Sequence, residues 1–93
     1  MKTKLENSYK SDYKKVLKQG IIGENELLEI DKITNFLLKK QVLEPKYKDH
    51  KLTGDLKAYR ECHIKPDLVL VYKFSFDTLH LVRIGSHSEL FKK

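Results

Sequence analysis

The sequence is poor in the residues that mark several common chemistries: 93 residues include one cysteine, two prolines, four glycines and no tryptophan. Cys62 has no second thiol in the chain, which excludes an intrachain disulfide and is compatible with a reducing compartment. Neither G-x-G-x-x-G nor G-x-x-x-x-G-K-[ST] occurs, so nucleotide hydrolysis of the P-loop kind is set aside. No apolar run approaches about 18 residues. The opening stretch MKTKLENSYKSDYKK also lacks the apolar segment of a signal peptide. The expectation is a cytoplasmic protein without membrane contact. No Gly/Ser-rich linker or internal repeat interrupts the chain, and a protein of this size has apolar material for one core only. Residues 1–93 therefore read as a single domain.

Positive charge is what the sequence has in excess. Nineteen Lys and Arg stand against thirteen Asp and Glu, a formal charge of +6. On so small a body this favours nucleic acid or an acidic protein as partner, by accelerating encounter in a salt-dependent way. From Ser8 to Gln19, Tyr9, Tyr13, Val16 and Leu17 recur at helical spacing with lysines between them and Gly20 as a stop. A second amphipathic helix spans Glu24 to Lys40, with Leu27, Ile30, Ile33 and Leu37 as its apolar stripe. Its acids lie near the start and its lysines near the end, as the helix dipole prefers. Residues 1 to 6 can form a short strand. After Pro45 the period changes. Residues 46 to 57 read as a polar loop or short edge strand, followed by strands at Tyr59–Ile64, Leu68–Phe74 and Leu79–Ile84. The short connections KPD and SFD favour an antiparallel meander, and LVLVY, apolar on both faces, is its central strand. The fold class is α+β, two N-terminal helices packed on one face of a small twisted antiparallel sheet. Function is expected on the other face.

Alternation puts Glu61 and His63 on one face of their strand, and Arg60 and Cys62 on the other. In the last strand it groups Arg83 with Leu79 and Leu81, and points His80 the opposite way. His50, His63 and His87 sit at strand ends or loops, where a rigid scaffold can bring reactive groups together. Arg60, Arg83, Lys51 and Lys65 add positive charge nearby. Imidazoles beside cations and carboxylates suit RNA phosphodiester cleavage, in which one group takes the 2'-hydroxyl proton, another protonates the leaving 5'-oxygen, and cations meet the developing charge. Histidine suits both transfers, its unperturbed pKa being about 6.5. This chemistry requires no metal or cofactor. Zinc on Cys62, His63, His80 and His87 fits no standard spacing, and adjacent Cys62 and His63 point to opposite sides of a strand. Cys62 itself reads as a small core residue.

The segments PKYKDHKLTGDLKAYRECHIKPDLVLVYKF and LHLVRIGSHSELF carry a combination of K-D-H, R-E-C-H-x-x-P-D and R-x-G-[ST]-H with a phenylalanine four residues later. In this the chain resembles the YafQ-like branch of the RelE/ParE toxin superfamily, the mRNA endoribonucleases of bacterial type II toxin-antitoxin modules. The resemblance implies a microbial-RNase-like fold that enters the ribosomal A site and cuts mRNA by 2'-hydroxyl attack, leaving 2',3'-cyclic phosphate and 5'-hydroxyl ends. It implies His50, His63, Asp67 and His87 as catalytic residues, with His87 as general acid, His50 or Asp67 as base and His63 orienting or neutralising, and the exchange of acid and base fits the sequence equally well. Lys51, Glu61, Arg83 and Phe91 are the expected RNA contacts, Phe91 partly by stacking on a base. Glu61 stands where relatives often carry aspartate. The implied partners are a cognate antitoxin, mRNA and the 70S ribosome, with operator DNA reached only through the antitoxin complex. The alternative is a ParE-like toxin that acts by binding alone, a reading that has no need of three histidines.

Overall fold

The computed structural model describes residues 1–91 and contains five strands and three α-helices in the order β1 (Lys2–Leu5), α1 (Asn7–Lys18), α2 (Glu24–Leu38), β2 (His50–Lys51), β3 (Arg60–Lys65), β4 (Leu68–Ser75), β5 (Thr78–Gly85) and α3 (His87–Leu90). Short 3-10 turns at Pro45–Tyr47 and Gly54–Leu56 flank β2. Both long helices end in the same way. Gly20, at φ 72°, lets its own N–H and that of Ile21 return to the carbonyls of Leu17 and Val16. Lys40, at φ 56°, does the same for α2, its N–H and that of Gln41 reaching Leu37 and Phe36. These paired bonds satisfy the last carbonyls and turn the chain sharply back toward the sheet.

The strand order is β1-β5-β4-β3-β2, so the apolar run LVLVY lies at the centre. β2 to β5 pair antiparallel as expected, but β1 runs parallel to β5, from Lys2 opposite Thr78 to Leu5 opposite Leu81. The all-antiparallel sheet is thus corrected to a mixed one. The meander leaves the outer edge of β5 unpaired, and β1, which leads straight into a helix rather than a hairpin, takes that edge running in the same direction as β5.

The helices cover one face. Tyr9 and Val16 of α1 and Ile30, Ile33 and Leu37 of α2 pack with Cys62, Leu70, Tyr72, Leu79, Leu81 and Ile84. Ile33, Cys62, Leu70 and Leu79 are fully buried. Burying an aliphatic side chain of this size contributes about 1.5–3 kcal/mol. Two residues of the expected helical stripes, Leu17 and Leu27, are exposed instead.

Register decides what the other face presents. Arg60, Cys62 and their cross-strand partners Tyr72 and Leu70 belong to the helix side, and Glu61 and His63 with Val71 and Val69 to the other. In β5 the ladder passes from Tyr72 opposite Leu81 to Val71 opposite Arg83, skipping Val82. This β-bulge reverses the alternation. Arg83 therefore does not share a face with Leu79 and Leu81, as simple parity predicts, but takes its place in a transverse row with Val71, Glu61 and His50.

Candidate active site

β2 is two residues long and pairs His50 directly with Glu61. His63 follows Glu61 by two positions and so projects from the same face. β5 ends at Gly85, opposite Val69, which is itself opposite His63. Ser86 then caps α3, its hydroxyl accepting from Glu89 N at 3.2 Å, and the helix folds back over the sheet with His87 in its first turn. The return is tight at Gly85, whose backbone lies at φ 159° and where a Cβ would lie 3.2 Å from Leu90 Cδ2. A 2.8 Å ion pair from Lys15 to Glu89 ties α3 to α1.

The outcome is a cluster of three imidazoles around one buried carboxylate. Glu61 is 3% exposed, and its Oε1 accepts a hydrogen bond from His87 Nε2 at 2.7 Å. The Nε2 atoms of His63 and His50 lie 3.4 and 3.5 Å from the same oxygen. The His63 ring centroid is 5.1 Å from that of His87 and 6.5 Å from that of His50, and the Phe91 ring lies 5.8 Å beyond His87. The His63 side chain is largely covered, whereas those of His50 and His87 are open to solvent. His50 Nδ1 donates to the carbonyl of Lys48 at 2.7 Å. Each hydrogen bond selects a tautomer. In the neutral ring His50 keeps its proton on Nδ1 and offers the lone pair of Nε2, while His87 donates through Nε2 and exchanges protons through Nδ1.

Three expected site residues do not join the cluster. Asp67 is exposed in the turn between β3 and β4 and makes no hydrogen bond or ion pair among the described residues. Lys51 pairs with Arg60, which places it on the helix side of the sheet. Arg83 reaches past the edge of the sheet to Asp12 on α1, with Nε at 2.6 Å and Nη2 at 3.1 Å. These bonds hold the guanidinium protonated against the opposing effect of burial. Glu61, read from the sequence as an RNA contact, is instead the buried hub. Phe91 borders a cavity of ≈ 180 Å³ lined by Leu52, Leu56, Tyr59, Val71 and Leu90. On the other side of His63 lies a cleft of ≈ 370 Å³ whose rim carries Lys46, Lys48 and Lys65. Lys46 and Lys48 are basic residues that sequence reasoning missed, because a lysine in a polar loop gives no sign of where the loop will lie.

Outside the cluster, His80 bonds to Glu6 at 2.8 Å, where α1 begins. Burial pushes the Cys62 thiol up, with the nearby carboxylates of Asp49 and Glu61 adding to the effect. A metal set built on Cys62 is excluded by its burial on the helix side, but a different one is present: ligand atoms of Glu61, His63 and His87 all lie within 4.8 Å of one another.

Two helices on one face of a small mixed sheet, with several imidazoles gathered on the other, define a RelE-like α+β toxin fold. Comparison with known proteins makes the assignment narrower. The family model described as "Bacterial toxin of type II toxin-antitoxin system, YafQ" matches residues 1–92, and the chain belongs to that family. It is 32% identical over 84 residues to the mRNA interferase toxin YafQ of Escherichia coli K12, a match covering 89% of this chain and 91% of that protein. A crystal structure of a metal-bound toxin from Helicobacter pylori superposes with a TM-score of 0.86 at 45% identity, over 98% of this chain and 99% of that one. The toxin in the crystal structure of the E. coli DinJ-YafQ complex superposes with a TM-score of 0.80 at 28% identity, over 96% of each chain.

Proposed function

We propose that this toxin is an mRNA interferase that cuts mRNA in the ribosomal A site. The observation that carries the proposal is the convergence of His50, His63 and His87 on the buried Glu61 carboxylate. His50 Nε2 takes the proton from the 2'-hydroxyl, the resulting alkoxide attacks the adjacent phosphorus, and the P–O5' bond breaks. His87, as the imidazolium, protonates the departing 5'-oxygen through Nδ1. The products are a 2',3'-cyclic phosphate and a 5'-hydroxyl. Proton transfers of this kind contribute typically about 10²–10⁴-fold each. His63 orients the carboxylate and meets phosphate charge, and Glu61 sets the tautomer of His87. The place of Asp67 outside the cluster, on the turn between β3 and β4, favours His50 over it as the base, and Asp67 is better suited to contacting the bound strand at the rim. Phe91 stacks on a base beside the apolar cavity, and the lysines of the neighbouring cleft follow the phosphates.

The E. coli relative crystallised with DinJ supports a cognate antitoxin as the partner here, and the net charge of +6 suits an acidic one. No helix among the described residues is long and apolar enough to cross a membrane. The metal-bound H. pylori toxin supports a second property. Glu61, His63 and His87 present one carboxylate and two imidazoles, a donor set suited to copper(II) or zinc. A bound ion would supply Lewis acidity at that point and engage the same atoms that orient His87.

Primer extension on mRNA in a translating extract tests the function. Wild type is expected to give cuts at fixed codon positions that require assembled ribosomes, and a folded His87→Ala variant to give none. Growth arrest by wild type without any cut would overturn the nuclease in favour of a toxin that acts by binding.

A further inference from the structure

A part-buried polar triangle lies on the helix side of the sheet, opposite the histidine cluster. Tyr72, 1% exposed at the centre of β4, donates its hydroxyl to Asp49 Oδ1. Arg60 Nη2 donates to Asp49 Oδ2 at 3.0 Å, and Arg60 Nε donates to the Tyr72 hydroxyl at 3.3 Å. Arg60 and Tyr72 are themselves cross-strand neighbours, so two rigid strands hold both donors. Asp49 is the residue before His50. Neighbouring residues of an extended chain project to opposite sides, so an Asp49 side chain drawn to the helix side turns His50 toward Glu61. Without such an anchor this placement would be poorly determined. β2 is an edge strand of two residues, and Lys48 before it is in the left-handed region at φ 48°. A strand that short specifies its own register weakly.

We propose that the Asp49–Arg60–Tyr72 triangle is a positioning device for His50, fixing the register of β2 so that the His50 ring faces Glu61 and the reacting strand. This deepens the proposed function and rests on the role given there to His50. The triangle's chemistry suits a fixed post. Burial and the bond to Asp49 keep the Tyr72 phenol protonated. The bond to Asp49 likewise keeps Arg60 charged. Neither donor needs to change protonation during a reaction near neutral pH. Misplacing a catalytic group by about 1 Å can cost about 10²-fold.

The test uses Tyr72→Phe, which keeps the ring in the core and removes only the hydroxyl, and Asp49→Asn as a second variant that keeps the size of the side chain. Side-chain NMR of the histidine rings reports position without reference to cleavage. The His50 resonances are expected to shift or broaden in both variants while those of His80 stay in place. Ribosome-dependent cleavage at saturating ribosomes is expected to fall about tenfold, with the half-saturating ribosome concentration little changed, and Tyr72→Phe is expected to add no further loss in a His50→Ala background. Unchanged His50 resonances would overturn the proposal, as would cleavage losses that add fully to that of His50→Ala. Perturbed resonances with wild-type cleavage would overturn it too, and His50→Ala alone then locates the failure. Loss of cleavage in that variant leaves the role of His50 standing and the triangle refuted, whereas wild-type cleavage refutes the role of His50 itself.

Discussion

Glu61 Oε1 accepts from His87 Nε2 at 2.7 Å across 26 positions of sequence, joining the second strand of the meander to the short helix that follows its last. The bond places a carboxylate out of water and an imidazole at the surface. Taking a carboxylate out of water costs several kcal/mol after relaxation, which neighbouring imidazoles offset only in part, so a chain with so small a core keeps such a group at the expense of stability. Catalytic positions commonly carry this conflict.

Replacing Glu61 by glutamine tests that reading. The amide keeps the size and an acceptor oxygen but loses the charge that draws three imidazoles together. Cleavage is expected to drop by about 10–100-fold, the range of a lost electrostatic or orienting contact. Urea unfolding is expected to show a variant at least as stable as wild type, because the desolvated charge is gone. A variant that cuts normally would remove Glu61 from the machinery.

Asp12 is expected to matter for stability. It accepts from Arg83 Nε, from Arg83 Nη2 and from the backbone N–H of Ile84 at 2.6, 3.1 and 3.1 Å, fastening α1 to the end of β5. Asp12→Ala leaves a half-buried guanidinium and a buried N–H without that partner. A loss of about 1–3 kcal/mol is expected in denaturant unfolding. Arg83→Ala alone is expected to cost less, since it spares the backbone bond. A double-mutant cycle in which the two losses add independently would show that the pair contributes nothing.

Alkaline pH probes the helix-sheet core. Burial, with smaller effects of Tyr13 and Asp31, pushes the Tyr9 phenol from 10.0 up to about 12. A raised folded-state value means that Tyr9 contributes stability fully below pH 10 and loses it as pH rises from 10 through 12. One proton released only on unfolding changes stability by at most about 1.4 kcal/mol per pH unit. Between those limits Tyr9→Phe is expected to lose stability less steeply with pH than wild type, as measured by urea unfolding at a series of pH values. Parallel curves would mean that the phenol ionises equally in both states.

The elements that sequence alone made legible are those with local signals. α1 and α2 follow a 3.6-residue period closed by Gly20 and by lysines, and β4 follows from five consecutive apolar residues. The parallel pairing of β1 was hidden, because four residues with an exposed pattern carry no mark of a partner strand more than seventy positions away. The bulge at Val82 was hidden as well, since VRIG looks like plain alternation until the ladder skips a residue. That one residue moved Arg83 to the other face. The histidines could be singled out by motif, but the burial of Glu61 could not. It depends on β2 and α3 closing over the strand, which is a tertiary event. Asp67 shows the converse, a motif residue that the fold leaves exposed on a turn.

Gly85 makes the dependence of the site on backbone approach open to direct test. A methyl group there would lie 3.2 Å from Leu90 Cδ2 and 3.9 Å from Glu89 Cβ, both on the helix that begins with His87. Part of the obstacle is the end of a flexible side chain and part is the backbone, at φ 159°, so Gly85→Ala should fold with a stability loss of about 1–3 kcal/mol. The adjustment falls on α3, a helix of four residues with little rigidity of its own, and so on the placement of His87 over Glu61. Cleavage is expected to fall about threefold to tenfold, in keeping with a displacement of a few tenths of an ångström. Leu90→Ala clears the space the new methyl group needs. The double variant should therefore recover cleavage relative to Gly85→Ala, even though Leu90→Ala alone gives up some packing. Equal cleavage in the single and double variants would show that the glycine is required for something other than the approach of α3.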